Sequence, residues 1–511
     1  MNYEKTNNKT IAKNTVFLYF RMMFTMVVSL YTSRVILVVL GIDDYGIYQA
    51  VGGVVAMLSF VNNALSVGSS RFLTFELGTG NFDKLKRTFS SLLTVHILLA
   101  LIVALLAETV GLWFVYHKLV IPPERLNPAI IAYHLSILTA VIHIISVPYS
   151  SSVISHERMN VYAYVSILDA LMKLGICYLI AIGGLDKLIL YAIFLCLIQF
   201  VNILIYRGYC VVHFDETHYK PMWDKPILKE VIGYSGWNLF ANSALALVTY
   251  GSTIMLNMFF TSAVVTAMAI SNQVHGASLQ FVNSFRTAVN PQVVKKYAMG
   301  DFVGSRRLLL SSAKYCFFLM LLIVVPLFLL TNELLQLWLK EVPPYTIAFV
   351  QITIVTCLFQ VLDTSFYTAL YAKGQIRENA MFSPTVLFLM FPVVYVLFKM
   401  GGSPLCISWG LFVAYAILAL IVKPFLIIRI AGYSWSDILS VFISCVKVAM
   451  VSIPIPCLVS AFVLNETNSL VRFMITVAIS ILSVSISVWF VGLDEDTRVK
   501  IVCFVKQRFY K

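Results

Sequence analysis

Tyr31-Thr-Ser33-Arg-Val-Ile-Leu37 has a second version further along the chain, Tyr250-Gly-Ser252-Thr-Ile-Met-Leu256. Other echoes fall into step around this pair. Phe60-Val-Asn62 returns as Phe281-Val-Asn283, and Gly80-Asn-Phe82 as Gly300-Asp-Phe302. Basic residues follow each glycine motif, and then Ser90-Ser91 or Ser311-Ser312. Glu108 and Trp113 match Glu333 and Trp338. The offset drifts only from about 219 to about 225 residues, which a few loop insertions explain. Two copies of one unit therefore follow each other in the same order.

Composition says what medium the copies occupy. Hydrophobic residues make up 60% of the 511 residues and charged ones 12%, with a mean hydropathy of +0.87. A water-soluble fold cannot hide that much apolar surface. Apolar runs of roughly 20 residues match the length a helix needs to cross about 30 Å of hydrocarbon. They predict an all-α membrane protein of about fourteen transmembrane helices. The first copy holds spans at 14–40, 46–68, 89–115, 129–153, 161–182 and 186–207. The second holds 231–259, 264–290, 308–331, 345–372, 379–400 and 405–428, and two more follow at 439–463 and 470–492. The expected organisation is an N-lobe over 1–207, a cytoplasmic linker over 208–230, a C-lobe over 231–430, and two helices with a tail over 431–511. Six helices per copy is an even number, so both copies enter the membrane the same way. A parallel pseudo-two-fold along the membrane normal follows, with a seam between the lobes where a transported molecule could bind.

Loop charges set the orientation. Roughly 25 Lys and Arg fall on the side of the N-terminus and roughly 6 on the other, so both termini are expected in the cytoplasm. The net charge of +13 is mostly this bias and calls for no nucleic acid. No removable leader is recognised before the first span. The outer loops are too short for a catalytic domain, and no Gly-rich phosphate cradle is found. The chain therefore reads as a non-enzyme powered by an ion gradient, H+ or Na+, or by the substrate itself. The nine cysteines are scattered without metal spacing, so neither a metal nor a cofactor is expected.

Ionisable side chains inside spans carry the functional signal, because each costs several kcal/mol unless paired, hydrated or able to reach the headgroups. Arg21 and Arg34 lie on the first span, Asp169 and Lys173 on the fifth, Arg286 on the eighth and Asp363 on the tenth. Lys314 and Lys447 read as interfacial or structural. The mainly positive sign suits a hydrated cavity offered to an anion. Arg21 and Arg286 sit near span ends and can snorkel instead, and Arg34 can serve either the cavity or the outer headgroups. Asp169 precedes Lys173 by four residues, the favourable order for an ion pair on one helix face. Asp363 has no basic neighbour on its own helix until Lys373, so it is a candidate for proton or cation coupling or for a salt bridge to an arginine of another helix. Asn62 and Asn283 occupy equivalent repeat positions and are candidates for facing the seam, with packing as the plainer role. Gln199 and Asn202 are further polar residues within spans, and His96, His143 and His275 read as isolated, hydrogen-bonded helix residues.

Several segments resemble bacterial polysaccharide flippases of the multidrug/oligosaccharidyl-lipid/polysaccharide exporter superfamily. They are Asn14-Thr15-Val-Phe-Leu-Tyr-Phe-Arg21, Tyr31-Thr-Ser-Arg34-Val and Leu40-Gly41-Ile-Asp-Asp-Tyr45-Gly46-Ile-Tyr48. Arg71-Phe72 with Glu76-Leu-Gly78, Pro148-Tyr149 and His156-Glu157-Arg158-Met159 add to them. The resemblance is strongest over about residues 10–180. It implies two six-helix lobes in a V around a central cavity, plus two extra helices that offer a groove to a lipid tail. The implied cargo is an undecaprenyl-diphosphate-linked oligosaccharide repeat unit for O-antigen or capsule, flipped from the inner to the outer leaflet of the bacterial inner membrane by alternating access. Membrane lipid and the polysaccharide polymerase machinery are the implied partners. The cationic cavity would map to Arg21, Arg34 and Arg286, with Lys173. A cation-coupled multidrug exporter, an antiporter of the same superfamily, is the alternative. The two arginines and the absence of an acid on the first span favour the anionic cargo.

Overall fold

The computed structural model describes residues 22–57, 60–156, 158–182, 184–222, 224, 240, 242–375, 377–463, 469–495 and 498–499. Among these the fold is helical, with no strand. The chain divides into two compact units, Met1–Ala269 and Ile270–Lys511. Eleven helices of the described residues are long and apolar enough to cross a membrane. They are α1 (Met22–Leu40), α4 (Phe82–Lys118), α5 (Leu126–Ser155), α6 (Met159–Ile182), α7 (Lys187–His213), α10 (Phe302–Leu329), α12 (Thr346–Lys373), α13 (Arg377–Lys399), α14 (Cys406–Ala431), α15 (Trp435–Ala461) and α16 (Val471–Gly492). Between them lie α2 (Ile42–Met57), α3 (Phe60–Thr79), α8 (Ser252–Phe259), α9 (Ser262–Ala298) and the short α11 (Thr331–Trp338). α3 and α9 are helical but less apolar, because Asn, Ser and Gln interrupt them. This is a multi-pass membrane protein.

The two glycine motifs fold alike, which gives the sequence repeat a structural meaning. Gly80 and Gly300 both have positive φ, 70° and 79°, a region that favours glycine. The next residue caps the following helix: Asn81 Oδ1 accepts the Lys84 N–H at 3.0 Å, and Asp301 Oδ1 the Gly304 N–H at 2.8 Å. That amide, with the Lys296 ammonium 3.0 Å away, holds the Asp301 carboxyl below the usual carboxylate range. Its contribution is therefore present above the unfolded value and lost as pH falls through the lowered one.

In unit 1 the apolar core of the described residues includes two large clusters. One gathers Ile36, Tyr45, Val51, Tyr133, Ile137, Ile176, Leu188 and Ile198. The other gathers Phe72, Leu85, Phe89, Tyr149, Val153, Val165, Tyr206 and Phe214. Because Tyr206, Cys210 and Phe214 still belong to this cluster, α7 runs on to His213, some residues into the stretch expected to be linker. Unit 2 holds a large cluster, with Phe318, Leu321, Phe366, Leu370, Leu426, Ile438, Val441 and Val484 among its members. The division between units falls inside α9, beyond the hydrophilic break.

Asn81→Ala is expected to cost about 1 kcal/mol by removing the α4 cap. Thermal unfolding in detergent should show a lower melting temperature with normal membrane insertion; an unchanged melt would mean that water replaces the cap.

Candidate functional site

Polar residues on α1, α5, α6 and α7 fall on the inward faces of these helices. Thr25, Ser29, Thr32 and Ile36 repeat every three or four residues on α1, so at about 100° per residue they share one stripe. α5 contributes His143, Ser146 and Ser150. Pro148 lies inside that helix and has no N–H to donate, which frees a carbonyl four residues back. Ser150 and Ser152 turn their hydroxyls onto the carbonyls of Val147 and Pro148, at 3.0 and 3.1 Å. Ser166, Asp169 and Lys173 of α6 and Gln199, Asn202 and Tyr206 of α7 complete the wall.

These faces enclose a cavity of about 620 Å³ within unit 1. A second hollow of about 380 Å³ shares Ser29, Thr32, Asp169, Lys173 and Gln199 with it. The charged pair stands at the junction. Lys173 Nζ is 2.7 Å from Asp169 Oδ2, and Asn202 Nδ2 donates to the other carboxylate oxygen at 2.7 Å. Asn202 is buried while Lys173 is exposed to the hollow, so the amide fixes the acid and the ammonium stays available. The wall thus offers hydroxyls, amides, one cation and one anion, which is chemistry for hydrogen bonding a polar solute.

The other sequence candidates lie elsewhere. Arg34 is exposed and stands about 140° to 200° around α1 from the lining stripe, so it does not line this cavity. Arg286 on α9 is partly buried in unit 2, within electrostatic reach of Asp363. Asn283, one turn earlier, is exposed. Arg21 and the side chain of Asn62 lie outside the described residues. Asp363 on α12 is 8% exposed and faces Lys423 of α14, 3.3 Å away. Lys423 had not stood out in the sequence; its signal was a lysine followed by proline within an apolar run. Of the three histidines, His96 contacts the Leu92 carbonyl at 2.8 Å and His275 the Gln360 amide oxygen at 2.6 Å, while His143 faces the cavity. Among the described residues no cluster of three or more His, Cys, Asp or Glu could hold a metal. An apolar groove of about 580 Å³ runs between α13 and α14, lined by Met390, Val394, Trp409 and Val413.

At the short-loop end of unit 1, segments from the two sequence copies are tied together. Ser262 donates to Asp43 Oδ1 at 2.6 Å, and Thr266 donates to the Ile42 carbonyl at 2.7 Å. The Asn257 side chain accepts the Val120 N–H at 3.0 Å. Gly46 lets α2 lie directly on α9: a Cβ there would stand 2.1 Å from the Ser262 carbonyl oxygen. Beside this seam Arg125 bridges two acids, donating from Nε to Asp44 at 2.8 Å and from Nη1 to Asp186 at 2.5 Å. Burial nevertheless pushes the Asp44 carboxyl up, against the pull of Arg125.

Solved structures share this architecture. A lipid II flippase, MurJ, in an inward closed conformation superposes with a TM-score of 0.68 at 11% identity, over 93% of this chain and 98% of that one. An inward-facing multidrug resistance MATE family transporter of the MOP superfamily gives 0.66 at 12% identity, over 81% and 95%. A MOP superfamily transporter from Pyrococcus furiosus, described as having a binding pocket of reverse polarity, gives 0.61 at 14% identity, over 82% and 96%. The fold is that of MOP-superfamily transporters. No protein-family model and no curated sequence matches the chain. Identities this low carry the fold and not the cargo.

Two outcomes test the geometry. Asp169→Ala removes the acceptor of both Lys173 and Asn202 and should cost about 1–2 kcal/mol, while Asp169→Asn, which keeps one oxygen, should cost less. Equal melting temperatures for both variants and the wild type would show that the pair is not coupled. Gly46→Val should force α2 from α9 and destabilise by about 1–3 kcal/mol, read as a lower melting temperature; an unchanged melt would mean the helices part freely.

Proposed function

We propose that this protein flips a lipid-linked oligosaccharide, joined to its polyprenyl carrier by a diphosphate, across a bacterial inner membrane. The observation that carries the reading is the lining of the unit 1 cavity. Pockets for drug-sized molecules are mostly apolar with a few polar groups. Here about half of the lining surface is polar, supplied by Ser and Thr hydroxyls, the Gln199 and Asn202 amides, Asp169 and Lys173. Such a surface replaces the hydrogen bonds that sugar hydroxyls make with water, which is the barrier to carrying a glycan through hydrocarbon.

The diphosphate needs a cation, and on this wall Lys173 is the side chain assigned to it; Arg34, which faces away from the wall, and Arg286, which lies in unit 2, are not placed on it. The seam of Asp43, Ser262, Ile42 and Thr266 joins the two sequence copies at one end, and alternating access requires it to open and close. Flipping makes and breaks no covalent bond, so no catalytic residue is assigned. The cargo of one structural neighbour, lipid II, is of the same chemical class. O-antigen or capsule repeat units are the proposed substrates, handed on to a polymerase.

A second reading has one observation in its favour: Asp169 puts a carboxylate on the cavity wall, which suits a cationic drug exchanged against a coupling ion. Proteoliposomes separate the two. With a fluorescent polyprenyl-diphosphate oligosaccharide, the wild type should expose label to the opposite leaflet, and Lys173→Ala should slow this roughly tenfold, the effect of losing about 1.4 kcal/mol. Transport of a cationic dye with no movement of the labelled lipid would overturn the flippase reading.

A further inference from the structure

The socket around Lys423 is a different matter from the cavity. Lys423 is 2% exposed although it carries an ammonium, and two other helices of unit 2 supply its polar surroundings. α13 offers the Asn379 amide oxygen and, at 3.0 Å, the Ser383 hydroxyl. From α12 come Asp363, whose Oδ1 is 3.3 Å away, and the Tyr367 ring, whose centroid is 5.4 Å from Nζ. The same Asp363 oxygen is buried and meets the ammonium as an ion pair rather than at hydrogen-bond geometry.

The backbone is shaped to put the lysine there. Leu418–Val422 is a π-turn that ends at Lys423, and Pro424 follows. Proline cannot donate to the carbonyl four residues back, and a wide turn absorbs that loss while rotating the next side chain. A carboxylate, an amide oxygen, a hydroxyl oxygen and an aromatic face are what a dehydrated monovalent cation requires.

We infer that Asp363, Asn379, Ser383 and Tyr367 form a monovalent-cation site in unit 2, which the chain fills with its own ammonium, and which takes an alkylammonium ion once the Lys423 side chain is removed. While Lys423 is in place, Asp363 has no vacancy for Na+ or K+, so ion coupling through this carboxylate requires the lysine to leave. The inference stands independently of the cargo proposed above.

Chemical rescue tests it. Lys423→Ala deletes the atoms that n-propylammonium would restore. The variant is purified and melted in n-propylammonium chloride or, at equal ionic strength, in choline chloride, whose cation is too bulky for the socket. Propylammonium should raise its melting temperature saturably and recover at least half of the loss. The wild type and the Asp363→Asn/Lys423→Ala double variant should show no such difference. Recovery of Lys423→Ala only from propylammonium buffer would count as the same result. An equal shift in the wild type, or no selective shift in Lys423→Ala, would overturn the inference. So would failure to recover Lys423→Ala in either salt while Asp363→Asn/Lys423→Met is recovered, because the carboxylate would then need a tethered partner.

Discussion

Hydrocarbon offers no partner to a peptide group, and this requirement governs the rest of the molecule. Every N–H and C=O within a span must be satisfied inside its own segment, so the chain is helical wherever it crosses. The same requirement dictates how irregularities are handled. Pro148 is accompanied by serine hydroxyls that turn back onto nearby carbonyls, and Pro424 by a π-turn. Neither disrupts its helix, and each sits beside polar groups, the cavity wall in one case and Lys423 in the other.

Side chains obey the same rule more strictly, since a lone charge costs more than a lone amide. In unit 1, Asp169 answers Lys173 on its own helix and Asn202 on the next. In unit 2, Asp363 answers Lys423 across helices, with Arg286 in electrostatic reach. Neither pair is a strong source of stability: water screens the half-exposed Asp169–Lys173 pair, and desolvation consumes most of the attraction in the buried Asp363–Lys423 pair. Their presence is better explained by what they do. The first pair borders a hollow large enough for a solute; the second fills its own socket and leaves little room. One unit thus offers its charges to a ligand, and the other encloses them.

Structural neighbours agree with the architecture and span different cargoes, a lipid II flippase and multidrug transporters. One fold therefore serves unlike molecules, and the lining of the site has to decide between them. A wall of hydroxyls and amides solvates sugars better than it solvates flat aromatic cations, and that difference supports an oligosaccharide.

Composition and apolar run length determined the medium, the helical class and most spans, because a single requirement acts on each segment alone. The repeat was legible too, down to Gly80-Asn81 and Gly300-Asp301, whose turns are local. Asp169 and Lys173 could be paired from the sequence because four residues bring them onto one helix face. Only the tertiary structure decided what depends on several helices at once. Thr25, Ser29 and Thr32 become a cavity wall because α5, α6 and α7 face them; Arg34, on the same helix, points elsewhere. Lys423 meets Asp363 from another helix, sixty residues away in sequence. No spacing rule reports such a meeting, since packing rather than helical period sets it.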